Sequence, residues 1–77
     1  MKTNVSIKFN SIEEYREIEK KLEELGYVND KEWNEEMIKW FSLTPSCVKI
    51  YDIKLFCIMS CSEEIKTYNS LEEFLKD

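Results

Sequence analysis

Seven residues near one end of this chain, Phe9-Asn10-Ser11-Ile12-Glu13-Glu14-Tyr15, return near the other as Tyr68-Asn69-Ser70-Leu71-Glu72-Glu73-Phe74. In each copy a serine stands three residues ahead of a glutamate at the start of an apolar run. That is a capping box: the hydroxyl accepts from a free amide of the first helical turn, and the carboxylate returns to the amide of the serine. Each copy also follows residues suited to a strand, so the chain is expected to run from strand into helix twice. One echo of seven residues is not a stacked array; it is one local solution used at two places.

Around the first copy the pattern continues on both sides. Val5, Ile7 and Phe9 alternate with Ser6 and Lys8, which predicts a strand over Thr3 to Phe9 with one buried face. Ile12, Tyr15, Ile18, Leu22 and Leu25 then recur at helical steps, and Gly26 stands where a left-handed cap needs a residue without Cβ. The helix is expected to end at about Leu25. Glu13, Arg16, Glu17, Glu19, Lys20, Lys21, Glu23 and Glu24 form its solvated face.

Beyond Tyr27 and Val28, Asn29 and Asp30 can cap a second helix bearing Trp33, Met37, Trp40 and Phe41. The rival reading makes Ile38 to Leu43 a strand, because Ile, Trp and Phe also suit a pleated surface. Thr44-Pro45-Ser46 ends either version. The run Cys47 to Ser60 reads as two strands, about Cys47 to Tyr51 and Lys54 to Ser60, or as one bent strand with a bulge near Asp52 and Ile53. Leu55 to Met59 suggests a strand covered on both faces, or by helix on one and a partner on the other. Ile65 to Tyr68 reads as an edge strand, followed by a helix of about two turns.

With 77 residues, 43% hydrophobic content, one Gly and one Pro, the chain has material for one core, so residues 1–77 form one domain. The order β-α-α-β-β-β-α predicts a two-layer α+β fold, an antiparallel sheet of three to four strands with its helices mainly on one face. The longest apolar run is far short of the roughly 20 residues that span a bilayer, and the N-terminal residues lack an apolar signal core. A cytoplasmic protein is expected, which makes the triplet Asn4-Val5-Ser6 a chance glycosylation match.

Common chemistries lose their residues. There is no histidine for a general base, a metal site or a Ser-His or Cys-His nucleophile, and one glycine cannot build a phosphate loop. No metal, cofactor or enzymatic activity is expected. Cys47, Cys57 and Cys61 make an odd count; the apolar neighbours of the first two suggest buried reduced thiols, and Cys57 and Cys61 on one strand would stand too far apart for a disulfide. Adjacent carboxylates such as Glu13-Glu14, Glu63-Glu64 and Glu72-Glu73 diverge on a helix, whereas acid-base catalysis needs two that converge. Sixteen Asp and Glu against 11 Lys and Arg leave a net charge of -5, which disfavours direct binding to nucleic acid or an anionic membrane.

What stands out is the aromatic content, two Trp, four Tyr and four Phe in so short a chain. The segment KEWNEEMIKWF interleaves Trp33 and Trp40 with Glu32, Glu35 and Glu36, an aromatic anchor with a charged rim suited to a partner surface. The alternative places both indoles in the core.

The opening strand and capped helix, the LEELGY helix end, the Trp soon after it and the closing YNSLEEFLKD together resemble small accessory proteins of bacteriophages and mobile elements. The resemblance covers the general plan of the chain and no diagnostic motif. Anti-CRISPR proteins are among such proteins, and the resemblance implies an acidic inhibitor that occupies a basic channel of a host defence effector. Two other readings stand beside it. One is a binder that sequesters a nucleotide, with Lys49, Lys54 and Lys66 for the phosphates and Tyr51 for stacking; the other is a homodimer that pairs through a strand edge or the Trp-bearing face.

Overall fold

The chain runs as β1 (Val5–Lys8), α1 (Ile12–Glu24), β2 (Val28–Asn29), α2 (Glu35–Ser42), β3 (Ser46–Ile50), β4 (Leu55–Ser60), β5 (Lys66–Tyr68) and α3 (Leu71–Lys76). The computed structural model describes residues 2–44, 46–61 and 64–77. Pro45, expected to end the second helix, and Glu63 of the Glu63-Glu64 pair lie outside the described residues.

The fold is α+β, but the sheet is mixed and five-stranded, in the order β2-β4-β3-β1-β5, not antiparallel with three or four strands. Its centre is antiparallel, β1 on β3 and β3 on β4. Its two edges are parallel, β2 on β4 and β5 on β1. A two-residue strand such as β2 has no alternation to read, and the direction of an edge strand is set by tertiary pairing.

The sequence echo explains the β5 edge. With Ile7 beside Tyr68 in parallel register, the two strand-to-helix units lie side by side in the same orientation. Each is stapled by an aromatic pair across its helix start: Phe9 and Tyr15 meet edge to face at 5.4 Å, Tyr68 and Phe74 at 5.5 Å. Ser11 Oγ accepts from the Glu14 amide at 3.1 Å, and Ser70 Oγ from the Glu73 amide at 3.2 Å. The Glu14 carboxylate reaches one residue further back than a capping box requires, accepting from the Asn10 amide at 3.0 Å.

At the other end of α1, Gly26 takes φ 98°. The Tyr27 amide then donates to the Leu22 carbonyl and the Gly26 amide to the Glu23 carbonyl, the paired bonds of a Schellman cap. The solvated face of α1 has one exception. Glu19 Oε1 accepts from Arg16 at 2.9 Å, and its Oε2 accepts from Asn29 at 2.8 Å and from the Tyr15 hydroxyl at 3.4 Å, tying α1 to β2.

Asn29 is therefore a strand residue, and its Oδ1 accepts from the Lys31 amide in a local turn. It does not cap α2, and neither does Asp30; Asn34 does, accepting from the Met37 amide at 2.9 Å. Residues 38 to 42 are helical and Leu43 is the C-cap, which removes the strand reading of Ile38 to Leu43. Between β3 and β4 the chain turns at Asp52 and Ile53, and Lys54 takes a left-handed φ of 67° in a hairpin closed by the Lys54 amide to the Tyr51 carbonyl.

Register decides what is buried. Ile7 pairs with Val48 and Val48 with Ile58; Val5 pairs with Ile50 and Ile50 with Phe56. These side chains share one sheet face, where they form a single cluster with Tyr15, Ile18 and Leu22 of α1, Ile38 of α2 and Phe74 of α3. All three helices thus pack on that face. The opposite face carries Ser6, Lys8, Cys47, Lys49, Cys57, Met59 and Thr67 by the same registers. β4 is accordingly covered on one face only, with Met59 exposed.

Cys47 and Cys61 are joined in a disulfide, Cα atoms 5.3 Å apart, which corrects the reading of Cys47 as a reduced thiol. Cys47 lies on β3 and Cys61 just past the end of the neighbouring β4, and spacing along one strand gives no measure of that separation. Cys57, half-buried, is free. No helix among the described residues is long and apolar enough to cross a membrane.

Two predictions follow from backbone and network. A left-handed conformation costs a non-glycine residue roughly 1 kcal/mol, and Lys54 is exposed. Lys54→Gly is expected to raise unfolding stability by about 0.5 to 1 kcal/mol in urea titration. Burial, and next the charge of Glu19, push the Tyr15 phenol from 10.0 up to about 12. A group with its folded pKa raised contributes stability that is complete below the unfolded pKa and lost as pH rises through the folded one. The melting temperature should therefore fall between about pH 10 and 12, and Tyr15→Phe should make that fall shallower than in the parent chain.

Candidate functional site

The residues singled out in KEWNEEMIKWF gather around α2, but the two indoles have different environments. Trp33 stands just before the N-cap, half-buried against the core, with its ring edge to face on Phe41 at 5.0 Å and Lys31 Nζ 4.6 Å above it. Its Nε1–H is buried without an acceptor among the described residues. Trp40 is 58% exposed, touching Phe41 edge to face at 5.3 Å. The split follows from helical phase: Ile38 takes the inward position and is fully buried, and Trp40, two residues on, is turned away from it.

Three- and four-residue steps place Glu36 and Met37 on one side of Trp40 and Leu43 on the other. Met37 is partly exposed and Leu43 is 79% exposed, so a stripe of apolar surface continues past the indole. Glu32, Glu35 and Glu36 are all exposed beside it. Between α2 and the sheet runs a groove of about 570 Å³, walled by Trp33, Trp40, Phe41 and Thr44 on one side and Ser46, Ile58, Met59 and Ser60 on the other. The Thr44 and Ser46 hydroxyls lie 2.9 Å apart at its end. Chemically this is an apolar trough with a hydroxyl-bearing end and carboxylates near its helical rim.

The four residues of the nucleotide reading are not brought together. Lys49 and Tyr51 meet on the helix-free face, Lys49 Nζ 5.2 Å from the ring centroid. Lys54 is spent in the hairpin, where its carbonyl accepts from the Val28 amide and anchors β2. Lys66 lies in β5 opposite Val5, a register position on the helix-covered face, and its ammonium bonds Asp77 at 2.7 Å. That bond raises the Lys66 pKa and lowers the Asp77 pKa; Tyr68, also bonded to Asp77, is raised by it.

A grouping not anticipated from the sequence lies on the helix-free face. Tyr51 Oη is 3.1 Å from Cys57 Sγ and donates to Met59 Sδ at 2.7 Å. The bond with Cys57, then burial, push the Tyr51 phenol up to about 12. The signal available was the two-residue spacing of Cys57 and Met59 on one strand, but a partner across a hairpin cannot be placed without its register. Among the described residues no three His, Cys, Asp or Glu side chains converge as a metal cluster would require.

The environments of Ile38 and Trp40 set a contrast that stability measurements check. Ile38→Ala, which opens a cavity in the core, should cost about 2 to 4 kcal/mol in urea titration. Trp40→Ala should change stability by no more than about 0.5 kcal/mol, and a larger loss would assign Trp40 a packing role. The chain matches no family model, no curated protein and no solved structure, so the chemistry of the α2 surface is read from its own residues.

Proposed function

We propose that this chain is a non-enzymatic binding protein that seats the α2 face on a basic surface of a protein partner. The observation that carries the reading is Trp40, a large indole 58% exposed on a short helix with exposed Leu43 one step along and Glu32, Glu35 and Glu36 beside it. An exposed aromatic ringed by polar groups is the usual form of an interface anchor, and its burial against a partner supplies most of the binding energy.

Charge is distributed to suit such a partner. Every Asp and Glu within the described helices and strands falls on a helix, while the strands carry Lys8, Lys49 and Lys66 and no acidic residue. The helical layer therefore presents a negative field that speeds encounter with a Lys- and Arg-rich surface. The resemblance to phage and mobile-element accessory proteins favours one class of partner, a nucleic-acid-binding effector of host defence in the bacterial cytoplasm. On this reading the chain occupies the channel meant for nucleic acid.

Capture from a bacterial lysate by the tagged chain tests this. A basic nucleic-acid-binding protein should be retained at low salt and released at high salt. Trp40→Ala and the triple Glu32→Gln, Glu35→Gln, Glu36→Gln should each weaken that complex by about tenfold or more, with Lys49→Ala as a neutral control. Full retention by Trp40→Ala, or recovery of a nucleotide and no protein, would overturn the reading.

A further inference from the structure

The Cys47–Cys61 disulfide lies beside the α2 groove and outside the apolar cluster under the helices. Ser46 and Ser60 form the terminal pair of the β3–β4 ladder, and both line the groove; Cys47 and Cys61 are the residues that follow them in sequence. Among the described residues the ladder ends at Ser46 and Ser60, and the disulfide ties Cys47, inside that end, to Cys61, just past it. Neither cysteine belongs to the buried apolar cluster under the helices, and Cys47 occupies the helix-free face.

Access is one-sided. Cys47 is fully buried, whereas Cys61 is half-buried and lines a depression of about 300 Å³ together with Lys8, Asn10 and Thr44. Lys8 pairs with Cys47 in the β1–β3 register and lines the same depression as Cys61, which sets a cation beside the bridge. A lysine in that position favours the approach of an anionic thiolate and the departure of a thiolate from Cys47.

We propose that Cys47–Cys61 is a thiol-operated latch on the groove, closed in the disulfide state and opened by a low-molecular-weight anionic thiol. The external thiolate attacks Cys61 Sγ, forming a mixed disulfide there, and the Cys61–Cys47 bond breaks with its electron pair on Cys47, which takes up a proton. A second thiol attacks the external sulfur of the mixed disulfide, releasing Cys61 as a thiol and an external disulfide. Two thiols are oxidised and one protein disulfide is reduced, a two-electron exchange. Opening frees the ends of β3 and β4, and the strand-side wall of the groove loses its fixed shape while the core remains folded. A preformed groove binds better than one that has to be ordered on contact, so reduction lowers affinity for a partner. Disulfides of cytosolic proteins are commonly transient and redox-sensing, which fits this use.

The regulatory meaning of the latch rests on the binding role proposed for α2, but its test needs no partner. The full chain, with and without Cys57→Ser to exclude the free thiol, is treated with reduced glutathione. Amide exchange at residues 46–48 and 58–61 is followed by mass spectrometry beside indole fluorescence and far-ultraviolet circular dichroism. Reduction should speed exchange in those two segments by about tenfold or more, shift the indole emission, and leave the far-ultraviolet spectrum and exchange in β1 unchanged. Lys8→Glu should slow reduction by glutathione about three- to tenfold, and should slow reduction by dithiothreitol, whose attacking thiolate carries less negative charge, by a smaller factor. Global unfolding on reduction would make the disulfide a structural staple and overturn the latch, as would identical exchange and fluorescence in the two states. A Trp40→Ala chain that still holds its partner would remove the binding reading and leave these measurements standing.

Discussion

The register that sets Ile7 beside Val48, and Val48 beside Ile58, decides the allocation of nearly every other side chain. Side chains alternate across a sheet with a period of two, so a slip of one residue would send this stripe to solvent and bring Ser6, Lys49 and Cys57 under the helices. Three helices bury their apolar faces against the stripe, and α1 and α2 also contact each other above it. A domain of this size buries only about 60% of the surface its unfolded chain exposes, so it has no second core to fall back on. The disulfide, the Tyr51 cluster and the strand lysines Lys8 and Lys49 occupy the helix-free face as a consequence of that one register.

The elements with strong periodicity were legible from the residues. Val5, Ile7 and Phe9, the two serine caps, and Gly26 each state a local geometry that tertiary contacts had no reason to override, and the structure places each where its chemistry calls for it. The hairpin break near Asp52 and Ile53 was legible too, although Lys54 holds the left-handed position that Gly or Asn would ordinarily mark. The start of α2 was not. Asn29 and Asn34 are both competent caps, and what separates them is that Glu19 and the pairing with Phe56 claim Asn29 for the sheet. Such a choice is made by contacts distant in sequence.

The same limit explains the rest. β2 pairs through two residues, and its parallel direction arises from where α1 returns the chain. Cys47 and Cys61 approach each other only once β3 and β4 are in register, so their spacing of 14 residues carries no hint of the bridge. Trp33 and Trp40 stood together in the sequence as one aromatic segment, yet the N-cap at Asn34 divides them, leaving one indole against the core and the other in solvent. Among the residues of the candidate site, the segment was legible, and the residue within it that faces outward was set by helical phase.

The parallel pairing of β1 with β5 has a consequence for how the chain reaches this structure. The sheet neighbours of β1 are β3 and β5, and Val5 meets a residue about sixty positions away. During synthesis β1 and α1 emerge with no strand to pair against, and the Ile7 face stays open until residues 46–50 and then 66–68 have followed. Assembly of the sheet is therefore late: the helix starts can form on their own caps, but β1 gains its first neighbour only with residues 46–50 and its second only when the two copies of the echoed segment come side by side.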